Sequence, residues 1–158
     1  MRNLVFGVED GLVSTVGFIS GIAASDIASP TLLLTGIVLI FSEAFSMAVG
    51  SFLSESSVQE YRTRRRSSVI PLVAGGTVMF LAYLGAGALV LAPYFFAFPS
   101  HAFPWSVGFS LAALFALGVV SARLSRVRPL QRGIRMLVVG GLAIGLGIFV
   151  ARTVLASL

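Results

Sequence analysis

The chain has 158 residues, 57% hydrophobic and only 11% charged, with a net charge of +5, one histidine and no cysteine. A soluble domain carries about 25% charged residues, so a single all-α polytopic membrane domain over residues 1–158 is expected. Disulfides, Cys/His zinc sites and haem attachment are excluded. So is nucleic acid, because the basic charge is all arginine at the ends of apolar runs, with no polar domain to carry a basic stripe.

Crossing a bilayer takes about 20 apolar residues, and five runs qualify, at 3–24, 31–54, 69–91, 103–122 and 134–155. The first reads VFGVEDGLVSTVGFISGIA and carries Glu9 and Asp10. Those acids interrupt what would be a signal-peptide core, and no small-residue cleavage site follows Arg2. A short turn, SDIASP, contains Asp26 and Pro30. The second run, with LIFSEAFSMAVGSF, carries Glu43 and Met47. Glu55 and Glu60 follow near its end, and then Arg62, Arg64, Arg65 and Arg66 in SSVQEYRTRRRSS. The third run ends in an aromatic connection, PYFFAFPSHAFP, suited to a headgroup interface and holding His101. The fourth gives way to RLSRVRPLQRGIR, with Arg123, Arg126, Arg128, Arg132 and Arg135, and Arg152 lies near the end of the fifth. Arginine thus marks alternate connections. The positive-inside rule puts the N-terminus and those connections in the cytoplasm and the C-terminus on the far side. Small-xxx-small spacings at Gly7/Gly11, Gly17/Gly21 and Gly141/Gly145 suit close helix packing. No internal repeat is visible.

Acids at membrane depth are expensive, about 2.5–3.5 kcal/mol on insertion scales, and normally face a bundle interior or a water-filled path. In antiparallel first and second spans, Asp10 and Met47 each lie roughly 10 Å from the cytoplasmic end, with Glu43 about 6 Å deeper. Gly36, Glu43, Met47 and Gly50 share one helical face, as do Asp10, Ser14, Gly17 and Gly21. Carboxylates bind divalent cations, and a thioether adds a soft ligand that suits later transition metals rather than magnesium or calcium. Asp10, Met47 and Glu43 are therefore the candidate metal ligands, with Glu9, Ser14 and Glu55 as candidate members of a proton or ion path. As residue types alone, Met47 is ordinary packing, Glu55 and Glu60 pair with the nearby arginines or face water, and Arg152 snorkels outward.

VFGVEDGLVSTVGFISGIA, FSMAVGSFLS and ARLSRVRPLQRGIRMLVVGGLAIGLG resemble the vacuolar iron transporter family over essentially the whole chain. The resemblance implies a homodimer that moves Fe²⁺ and Mn²⁺ out of the cytoplasm in exchange for protons, along a path between the two first spans. It matches Asp10 to the family's first-span aspartate and Met47 to its second-span methionine. Three departures stand out. Leu39 occupies the usual glutamate position two turns before the methionine, with the acid at Glu43 instead. Asn3 replaces a further acid. The connection after the second span lacks the family's Glu- and Met-rich metal-binding domain, as in a shortened branch.

The expected function is thus proton-coupled export of Fe²⁺ or Mn²⁺, with Co²⁺ and Zn²⁺ as further cargoes, in a bacterial plasma membrane rather than a vacuolar one. No permanently bound cofactor and no enzymatic activity are expected. The partners are the bilayer and a second copy of the chain. The alternatives are a non-transporting membrane subunit, and a proton channel or transporter of another solute.

Overall fold

The computed structural model describes residues 1–25, 27–64, 68–96 and 99–157, with the side chains of residues 99 and 100 left out. Among the described residues all regular structure is helical: α1 (Arg2–Ala23), α2 (Ser29–Thr63), α3 (Val69–Phe96), α4 (Pro99–Leu124) and α5 (Pro129–Ser157). All five are long and apolar enough to cross a membrane. Their outward residues include Leu34, Phe41, Phe45, Leu81, Leu142, Leu146 and Phe149, an apolar surface that only lipid or another apolar surface would cover. The protein is an all-α polytopic membrane protein.

The helices overrun the apolar runs. α2 has 35 residues, about 52 Å at 1.5 Å per residue, against a hydrocarbon core of about 30 Å. Its last turns, through Glu55, Gln59, Glu60 and Arg62, are polar and mostly exposed, and they project from the arginine-rich end. These residues stay helical because Glu, Gln and Arg are good helix formers. The helix stops at Arg64, whose left-handed φ of 51° lets its N–H bond the Glu60 carbonyl at 2.8 Å. Arg126, after α4, adopts the same conformation, with φ 55°.

α1 is the most buried helix. It packs chiefly on α3 and α5 and also touches α2 and α4, while α2 pairs with α3, and α4 with α5. Helix direction alternates along the chain. α1 and α3 run parallel: methyls placed on Gly7 and Gly11 would meet Met79 and Ala82, and Tyr83 and Ala86, so the glycines let the two backbones touch. α1 and α5 also run parallel, with Gly17 against Ala143 and Gly21 against Gly147. α4 turns Ala102, Ser106, Ser110, Leu114 and Gly118 inward at i, i+4 spacing. Ser106 ties it to α3 by donating to the Val90 carbonyl at 2.7 Å. Gly141 and Gly145 face open space; the packed α5 glycines are Gly133, Gly140 and Gly147.

Candidate metal-binding site

The site is set by the register of three helices. At the arginine-rich end the Asn3 amide reaches two neighbours, donating to Ser51 Oγ and to the Gly75 carbonyl, each at 3.0 Å. Further along, a methyl on Gly36 would touch Ile19 of α1. The pairs Asn3/Ser51 and Ile19/Gly36 fix α1 and α2 as antiparallel and put Asp10 level with Ala44. Asp10 therefore stands opposite the turn of α2 that has Glu43 before Ala44 and Met47 after it.

Ala44 is fully buried, while Asp10, Glu43 and Met47 are half-buried at the edge of the contact. Asp10 and Glu43 are close enough for their charges to interact. Met47 packs against the core formed by Leu12, Ile40, Ala44 and their neighbours. Along α2 it lies one turn from Glu43, on the same side of the helix.

α3 adds a group that the sequence reading missed. Tyr83 is fully buried, and its hydroxyl lies 2.5 Å from Ser14 Oγ. Ser14 donates its own proton to the Asp10 carbonyl at 2.7 Å, so Tyr83 is the donor to Ser14. Tyr83 is also within electrostatic reach of Asp10 and Glu43. A polar group at this depth in FLAYLGAG was the available signal. Ser14 is engaged as a tether between α1 and α3.

The other acids are elsewhere. Glu9 points away from α2, towards Arg132 at the start of α5. Glu55 forms an ion pair with Arg2 across the ends of α1 and α2; of the arginines that follow it, Arg65 and Arg66 lie outside the described residues. Gly36 is a packing glycine against Leu91 and Ile19, and Gly17 and Gly21 turn towards α5, so these three do not line the acid cluster. His101 sits in the first turns of α4, at the far end from Asn3. Asp26 lies outside the described residues. Among the described residues no three histidine, cysteine, aspartate or glutamate side chains gather in one copy to hold a metal. The acid cluster of a single chain offers two carboxylates and a thioether.

Beside Glu43 and Met47 the outer face of α2 is small and polar. Ser42, Ser46, Gly50 and Ser54 are exposed, and a methyl on Gly50 would meet nothing within 4 Å. The neighbouring face, with Phe41 and Phe45, is bulky and apolar.

The VIT family model matches residues 1–69 and 64–152. The chain belongs to the VIT family. It is 21% identical over 203 residues to "Vacuolar iron transporter 1" of Tulipa gesneriana, covering 90% of this chain and 82% of that protein. It is 27% identical over 169 residues to "Vacuolar iron transporter homolog 5" of Oryza sativa subsp. japonica, covering 99% and 81%. In this VIT-family chain the two matched stretches overlap at 64–69, between the end of α2 and the start of α3. The tulip alignment runs over more positions than this chain's 158 residues, so that relative has residues with no counterpart here.

Proposed function

We propose that this VIT-family protein is a secondary transporter that carries Fe²⁺ or Mn²⁺ out of the cytoplasm in exchange for protons. Membership of the family and the iron-transport names of its relatives support metal transport. The observation that carries the site is the register that sets Asp10 opposite the Glu43–Met47 turn. Carboxylate oxygens bind a divalent ion and the thioether favours a transition metal over Mg²⁺. A proton and a metal compete for the same carboxylates, so protons arriving from the far side displace the metal.

Two copies complete the site. A second chain laid against the α1–α2 edge brings the count to four carboxylates and two thioethers. It also covers the serine and glycine stripe on α2, which lipid solvates poorly. Small residues let such helices approach closely. The arginine-rich end faces the cytoplasm, as juxtamembrane arginine does, and the compact form suits a bacterial plasma membrane.

The test is reconstitution into liposomes with an imposed pH gradient, recording metal and proton flux together. Fe²⁺ and Mn²⁺ should move with a counterflow of protons, and Mg²⁺ should not. Proton flux independent of metal would establish a proton path instead, and no flux of either would mark a non-transporting membrane subunit.

A further inference from the structure

At the arginine-rich end, away from the acid cluster, a cavity of about 510 Å³ opens beside the first turns of α5. Arg128, Arg132 and Arg135 line it, with Glu9 as the one carboxylate among the described residues, and its inner wall is Met136 and Val139. Three guanidinium groups therefore face one acid, and Glu9 interacts with Arg132. Among the described residues no carboxylate forms an ion pair with any of these arginines. The positive end of α5 adds to the imbalance: the helix begins at Pro129 and has no acidic residue in its first turn.

We propose that Arg128, Arg132 and Arg135 form a binding pocket for the phosphate of an anionic phospholipid. Guanidinium groups bind phosphate oxygens through paired hydrogen bonds, and basic pockets beside membrane helices take anionic headgroups. The layering selects a lipid over free phosphate. From Arg128 to Val139 the wall descends about 16 Å along α5, charged at the membrane surface and apolar beneath, in the order of a headgroup above an acyl chain. The pocket is distinct from Asp10, Glu43 and Met47, and the proposal stands whether or not the protein moves metal.

The experiment is native mass spectrometry of the full chain, purified and equilibrated with mixed phosphatidylglycerol and phosphatidylcholine. The wild type should retain phosphatidylglycerol over phosphatidylcholine by on the order of a hundredfold, at roughly fivefold for each of the three arginines. Arg128→Gln with Arg135→Gln should weaken that retention about thirtyfold, at roughly fivefold per arginine near the surface. Arg62→Gln with Arg64→Gln, which removes the same charge from the exposed end of α2, should leave it intact. If the first double variant is not recovered, either single variant carries the same comparison at about fivefold. Equal retention of the two lipids, or equal losses in both double variants, would overturn the pocket. Displacement of phosphatidylglycerol by excess inorganic phosphate would overturn the choice of a lipid.

Discussion

Gly147→Ala should loosen the bundle where α1 meets α5. A Cβ on Gly147 would lie 1.9 Å from the Gly17 carbonyl oxygen and 2.8 Å from its carbon. Ordinary contact begins at 3.4 Å, so the helices would have to part by about 1.5 Å. Both neighbours are backbone, so no side chain can swing aside. Overpacking of this kind costs about 1–3 kcal/mol. Gly145→Ala is the matched control, because a methyl there meets nothing within 4 Å. Alanine is the better helix former by about 1 kcal/mol, so the control should be neutral or slightly stabilising. Gly147→Ala gains the same propensity, so the two variants should differ by the overpacking alone, about 1–3 kcal/mol. Thermal or denaturant unfolding in one fixed detergent measures the gap. Gly147→Ala that unfolds together with Gly145→Ala would refute the close α1–α5 crossing, and with it the placement of the helix that carries Asp10.

Asp10→Asn should lower Fe²⁺ transport in liposomes by at least about tenfold while the protein still reconstitutes, since it removes one charged ligand; undiminished transport would contradict its role. Tyr83→Phe removes the hydrogen bond to Ser14 and leaves the Ser14–Asp10 bond in place, so unfolding should show a loss of about 0.5–1.5 kcal/mol. Arg2 is 76% exposed and Glu55 39%, so a double-mutant cycle with Arg2→Gln and Glu55→Gln should give a coupling below about 1 kcal/mol that fades with added salt.

The membrane helices were legible because apolar runs and arginine clusters dominate this composition. Their ends were not. The stretch from Glu55 to Thr63 is helical without an apolar pattern, and α5 starts at Pro129, where proline at the first helical position was the available signal. By sequence, Asp10 is level with Met47 and Glu43 lies a turn deeper; the register sets Asp10 level with Ala44 instead, nearer Glu43 than Met47, because α2 runs on past the end of its apolar stretch. Tyr83 was hidden because an aromatic in an apolar run reads as core, and its role depends on which helix lies beside α1. Asn3, read as a missing acid, turned out to be the amide that joins α1, α2 and α3. The glycine spacings were visible, but only the packing separates Gly147, against a backbone, from Gly141 and Gly145, facing outward.

The chain contains no cysteine, so Met47→Cys introduces a single thiol at the centre of the proposed path. Labelling it with a water-soluble thiol reagent, with and without Fe²⁺ or Mn²⁺, tests whether this position borders a wet, metal-binding passage. The account predicts labelling that slows at least about tenfold when metal is bound, since a thiol needs water to ionise and react and a seated ion shields it. A thiol that never labels, or that labels at the same rate with metal present, would contradict it.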